Sequence, residues 1–224
     1  MKSAKTLFNT LFITLSLIPI FYLVFRWKSI HGNVPLKWDS HWRPVSFGTK
    51  TELLIASMVM CGASLLSYFL MRNIHRIDPK RASSIKPSVF DKLSAGIVVF
   101  ITALNLIVVV SAINPSNNVL QKMMFPLIGL MFAFLGNYMH SIKPNYFAGI
   151  RTPWALNSDE NWRKTHRLAG KIWFAGGIII CLLSLFGSFD KFETIFMTIV
   201  LIMVAIPFAY SYSIFRKEQQ AHNQ

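Results

Sequence analysis

The residues equipped for specialised chemistry crowd into one stretch, Asn145 to Trp173, which lies between two long apolar runs. Within it, Gly149 opens backbone conformations closed to other residues, and Pro153 fixes its own φ while pushing Thr152 toward an extended conformation. The run Gly149-Ile150-Arg151-Thr152-Pro153-Trp154 therefore reads as a shaped turn that presents a guanidinium beside an indole. A planar guanidinium held by such a turn can bind exposed helix carbonyls, a phosphate or an acidic partner surface. Asn157, followed three residues later by Glu160, predicts a helix N-cap with its reciprocal carboxylate, and Asp159 adds negative charge at the positive end of the helix dipole. Trp162, His166 and Ala169 then share one face, with Arg163, Lys164, Arg167 and Lys171 mainly on the others. This pattern predicts a short amphipathic helix at a membrane surface that runs straight into the next span. Headgroup contact accounts for Lys164, Arg167 and Lys171. It does not account for the Gly-x-Arg-Thr-Pro-Trp turn, since a generic loop has no need of that combination.

Other reactive constellations are missing. The sequence has no His-Glu-x-x-His, no Gly-x-Ser-x-Gly, no phosphate-binding glycine loop and no Cys-x-x-Cys. Its six histidines are scattered along the chain, and although His140 and His166 could approach each other, we expect neither a metal site nor a cofactor. Cys61 and Cys181 fall inside apolar runs and read as packing residues. Helix starts account for most of the nine acidic residues: Glu52, Asp91, Glu160 and Glu193 each follow a plausible cap (Thr49, Ser88, Asn157, Asp190) by three positions. Asp39, Asp78 and Glu218 belong to loops or the tail. No carboxylate is left for a bilayer midplane, where transporters commonly keep ionisable relay groups. Asn105, deep in an apolar run, reads as an interhelical hydrogen-bonding residue.

The elements that must position these residues are membrane helices. Apolar residues make up 53% of the chain and charged ones only 14%, a composition unlike that of a soluble domain. Six runs, each near the roughly 20 residues needed to cross about 30 Å of hydrocarbon, fall at Thr6–Phe25, Leu53–Met71, Ala95–Ile113, Val119–Met139, Leu168–Gly187 and Thr194–Phe215. The first run is no cleaved signal, because Arg26-Trp27-Lys28 follows where small residues should stand. Of 23 Lys and Arg, 16 lie on the segments that face inward if the N-terminus is inside. Both termini are therefore expected in the cytoplasm, and the net charge of +14 is accounted for by anionic lipid without direct nucleic-acid contact. Short connections at Asn114–Asn118 and Ser188–Phe192 predict antiparallel pairing of spans 3 with 4 and 5 with 6. The expected fold is all-α, a six-transmembrane-helix bundle.

The residues Gly149, Ile150, Arg151, Thr152, Pro153 and Trp154, with Asn157, Trp162, Thr165, His166 and Gly170, resemble the signature of the SdpI family of bacterial membrane proteins. The resemblance covers roughly Met124 onward. It implies a multi-pass protein of the bacterial cytoplasmic membrane that is not an enzyme. Its expected role is immunity against a secreted toxic peptide, with signal transduction by sequestering a cytoplasmic transcriptional repressor. Upstream, the loop Arg26–Lys50 is rich in Trp, and Val34 to Lys50 is similar to DUF1648, a segment that often precedes the SdpI module; the shared features are Pro35, Trp38, His41, Pro44, Gly48 and Lys50. Lys37 stands where that resemblance implies a histidine, and Trp42 where it implies a glycine. The chain accordingly divides into an N-terminal region, 1–92, and an SdpI-like module, 93–224. Pro35, Trp38, His41, Trp42 and Gly48 are candidates for an outer surface that meets a peptide, set against the plainer reading of a Trp-rich interfacial loop. The alternative functional class is a small-molecule or ion transporter, or a membrane enzyme, with a site formed only in three dimensions. Membrane lipids are expected neighbours in either case.

Overall fold

The structure, a computed structural model, describes residues 2–39, 42–73, 87–117, 119–145, 148–186 and 192–222. Its helices are α1 (Lys2–Phe25), α2 (Lys50–Arg72), α3 (Pro87–Ile113), α4 (Val119–Met139), α5 (Pro153–Asn157), α6 (Asp159–Phe186) and α7 (Phe192–His222). All but the five-residue α5 are long and apolar enough to cross a membrane. Burial is arranged as a lipid solvent demands. Leu7, Phe186 and Leu201 are among many large apolar side chains left on the outside, while Ser16, Ser57, Ser64, Asn105, Thr165 and Ser211 are buried. Pro19, Pro126 and Pro207 interrupt the ladders of α1, α4 and α7, which membrane helices tolerate because neighbours re-satisfy the freed carbonyls.

The helices overrun the apolar runs. The fifth span begins at Asp159 rather than Leu168, so the amphipathic segment and the span are one helix of 28 residues, as the pattern of Trp162 and His166 anticipates. The third begins at Pro87, a favoured first helical residue because its missing N–H would be unpaired there anyway. Ser88 therefore lies inside α3 and is not its cap. Asp190, the expected cap of α7, lies outside the described residues.

The chain forms two compact units whose limits differ from the sequence division at 92/93: Met1–Arg72 with Ser94–Leu127, and Asn73–Leu93 with Ile128–Gln224. In the first, α1 and α2 pack together, and the segment between them folds into an antiparallel hairpin that hydropathy did not foretell. Its strands, β1 (Val34–Trp38) and β2 (Pro44–Gly48), pair Val34 with Gly48 and Trp38 with Pro44. Val34 is buried with Leu23, Ile30, Leu53, Val109 and Ala112, and Trp27, Leu36 and Trp38 pack against that cluster. The turn closes on Asp39, whose carboxylate accepts the Arg43 N–H at 2.8 Å. Trp42 holds φ 61°, the left-handed conformation that a glycine adopts without strain, and its ring meets Phe125 edge-on at 5.6 Å.

The expected cap of α2 is present: the Thr49 N–H donates to Glu52 Oε2 (2.6 Å) and the Glu52 N–H to Thr49 Oγ1 (3.2 Å). Asn105 makes the expected interhelical bond, donating from Nδ2 to the Ser57 carbonyl at 3.0 Å. Tyr68 donates to Asn9 at 2.8 Å, joining α1 to α2, and Arg72 donates to both.

The second unit contains α5, α6, α7 and most of α4. Helices α6 and α7 pack along each other, with α5 laid against both. Along α4 and α6, backbones touch where side chains are smallest. A Cβ on Gly129 would come within 2.7 Å of the Gly177 carbonyl, and one on Gly170 within 2.9 Å of the Gly136 carbonyl. Such small-residue seams take the place of the hydrophobic drive that lipid removes between membrane helices.

Candidate functional site: a polar clasp around the Gly149–Trp154 turn

The stretch from Lys143 to Thr165 forms a clasp of buried hydrogen bonds. It begins at Asn145, which is 1% exposed: its Nδ2 donates to the carbonyls of Lys143 and Ala148, and its Oδ1 accepts the Ala148 N–H at 2.7 Å. The chain then reaches Gly149 at φ +108°, a conformation that L side chains rarely adopt. A Cβ there would overlap His166 Nε2, so only glycine lets the loop lie on α6. The next residue makes the central contact: the Ile150 N–H donates to His166 Nε2 at 3.0 Å. On its other side, His166 Nδ1 lies 2.9 Å from the Trp162 carbonyl, which can only accept. The ring is therefore neutral with its proton on Nδ1. It stacks on Trp162 at 4.0 Å, and Trp162 Nε1 donates to the Ile142 carbonyl at 2.8 Å.

The second half of the turn is tied to α7. Thr152 is extended (φ −72°, ψ 150°), as its place before Pro153 requires, and its hydroxyl accepts the Ala155 N–H as the cap of α5. The same hydroxyl lies 3.2 Å from Ser211 Oγ. Ser211 donates to Asn161 Oδ1 (2.8 Å), so Thr152 is the donor to Ser211. Asn161 Oδ1 also accepts from Thr165 (3.0 Å), and its Nδ2 donates to the Ser211 carbonyl (2.9 Å). Thr152, Asn161, Thr165 and Ser211 are all buried, so each bond forms away from water, where leaving a partner unpaired would be costly. Trp154 adds an apolar anchor, packing among Phe208, Tyr212 and Phe215 of α7 with ring centroids 5.4 to 5.9 Å away.

Of the residues singled out from sequence, Gly149, Thr152, Pro153, Trp154, Trp162, Thr165 and His166 meet in this clasp, while Gly170 serves the seam with α4. Asn157 is a correction. It is the exposed last residue of α5, and the cap of α6 is Ser158, whose Oγ accepts the Asn161 N–H at 3.1 Å. The physical reason is that Pro153 starts a helical turn of its own, so the chain reaches α6 one residue later than a single-helix reading assumes. Ser158 in turn donates to Glu218 at 2.9 Å, which places that acid on α7 instead of in a solvated tail.

Asn145, Asn161 and Ser211 are clasp residues that the sequence reading missed. The four-residue spacing of Asn161 and Thr165 was a usable signal; a serine inside an apolar span carried none. Arg151 is exposed, displayed from a backbone pinned on both sides through Ile150 and Thr152. In the hairpin, Pro35 and Trp38 lie on β1 and Gly48 ends β2, whereas His41 lies outside the described residues.

Comparison with known proteins finds similarity over the residues of this clasp. Residues 141–211 match the SdpI/YfhL protein family. Over 90 residues the chain is 31% identical to the Immunity protein SdpI of Bacillus subtilis (strain 168), a match covering 40% of this chain and 43% of that relative. The chain thus spans less than half the length of the curated relative it matches. No solved structure matches it. The matched residues run from the loop that opens the clasp to Ser211, the α7 hydroxyl that closes it, so the part of this multi-pass membrane chain that is similar to the SdpI/YfhL family is the part folded into the clasp.

Proposed function

We propose that this protein is a non-enzymatic membrane immunity protein that protects a bacterial cell against a secreted toxic peptide and holds a cytoplasmic transcriptional repressor at its inner face. One observation carries the reading: the segment matching an immunity-protein family is the segment folded into the clasp, so its specialised residues stiffen a loop and display Arg151. In this reading Arg151 contacts the repressor, and the hairpin meets the peptide. A two-stranded sheet offers open backbone edges to an extended peptide, and Val45 and Phe47 present exposed apolar side chains on β2.

The test is survival of a sensitive strain under the secreted peptide when it expresses this protein, compared with Trp38→Ala and His41→Ala at equal membrane levels. Protection by the parent and its loss in those variants is the expected result. Undiminished protection and peptide binding in both variants reduce the hairpin to an interfacial cap. A transport reading has one observation in its favour, the buried side-chain oxygens of Ser57, Ser64, Thr102 and Asn105 that lack hydrogen-bond partners in α2 and α3. Peptide-independent solute flux that is lost in Asn105→Leu would favour it.

A further inference from the structure

Between α4 and α6 lies a cleft of about 700 Å³ that the clasp does not use. Its wall on α6 carries Arg163, Lys164, Arg167 and Lys171; α4 contributes Asn137, and His140 follows just past the end of that helix. Among the described residues the lining holds no carboxylate. Lys164 is paired with Glu160 at 2.6 Å on the helix surface. The other three cations stand at successive four-residue intervals, so Arg163 faces Arg167 and Arg167 faces Lys171 along one stripe roughly 12 Å long. Like charges at that spacing destabilise a helix, and a bound anion removes the penalty. The chemistry changes toward the far end, where Gly136 and Gly170 form a floor without side chains and Phe174 supplies an exposed ring.

Depth matches this polarity. At 28 residues α6 is about 42 Å long, roughly 12 Å more than a hydrocarbon core, so its first turns stand among headgroups while Phe174 lies deeper. We propose that this cleft binds a phosphate-bearing anion, namely the headgroup of an anionic phospholipid, with the guanidinium groups of Arg163 and Arg167 and the Lys171 ammonium on the phosphate and the acyl end along Phe174. Guanidinium forks suit phosphate oxygens, and a cleft cationic at one end and apolar at the other suits an amphiphile. The proposal does not depend on the immunity reading.

The experiment uses the full chain in a neutral detergent and measures retention of phosphatidylglycerol against phosphatidylcholine by native mass spectrometry. Arg167→Gln and Lys171→Gln are compared with Lys143→Gln and Lys217→Gln, which remove the same charge at exposed positions outside the cleft. The expected result is selective retention of phosphatidylglycerol, weakened about tenfold or more by each cleft variant and less than about twofold by the controls. If inorganic phosphate binds with the same dependence on Arg167 and Lys171 and displaces the lipid, the anion site stands and free phosphate is its source. Equal weakening by all four variants overturns the proposal in favour of diffuse charge. Absence of retention overturns it as well, as does selective binding of polyglutamate without lipid, which would make the cleft a surface for an acidic protein.

Discussion

Gly149 and His166 act as one unit, because the space a side chain would need on the first is filled by the ring of the second. Gly149→Ala combines an unfavourable φ of +108° with that overlap, and we expect a loss of about 1–3 kcal/mol, read as a lower unfolding temperature in detergent. The coupling is separable: a Gly149→Ala/His166→Ala double variant should lose less than the sum of the single changes, because the overlap disappears even though the bond to Ile150 is already gone. Arg151 is a different kind of residue, exposed on a backbone held by its neighbours. If its fork of donors matters, Arg151→Lys should abolish protection or signalling while membrane level stays at that of the parent. A lysine form with full activity would reduce it to a determinant of insertion, and loss of membrane level in Arg151→Ala alone would point to folding.

At the scale of elements, the α4–α6 seam and the hairpin carry the arrangement. Gly170→Leu would force a branched side chain against the Gly136 carbonyl, and since backbones already touch there the helices must separate. The expected outcome is a marked fall in folded protein, measured by monodispersity after extraction, whereas Gly62→Leu, with nothing within 4 Å of its Cβ position, should extract normally. Capping of α2 is a smaller effect. Thr49→Ala removes the acceptor for the Glu52 N–H and should cost about 1 kcal/mol, seen as a modest drop in thermal midpoint with the hairpin otherwise intact.

For the whole molecule the governing physical quantity is direction across the bilayer. The excess of Lys and Arg on alternate connections leads us to expect Ser158 and both termini in the cytoplasm and Ser116 outside. Reporter fusions at Ser116 and Ser158 check this, together with fusions at Ser84 and Phe189, which lie outside the described residues. A non-cytoplasmic signal at Ser158 would remove the charge argument and, with it, the proposed intracellular partner of Arg151.

The apolar run lengths were enough to place six spanning helices, because a membrane helix must hide its own backbone and so needs about 20 apolar residues in sequence. The chain also showed the Thr49–Glu52 cap, the extended Thr152 and the shared face of Trp162 and His166, since each depends on residues within one or two turns of each other. What only the tertiary structure decided rests on partners far apart in sequence. Ser211 looked like any serine in an apolar span until α7 brought it to Thr152 and Asn161, 59 and 50 residues away. Gly136 and Gly170 revealed their role only when two backbones met. The hairpin was hidden for a related reason: β1 buries one side against helix ends that precede and follow it, so alternation along five residues says little about what lies on either face. Asn157 shows the same limit at short range. It has the composition of a cap, but Pro153 had already begun a separate turn, and the geometry of that turn handed the capping position to Ser158.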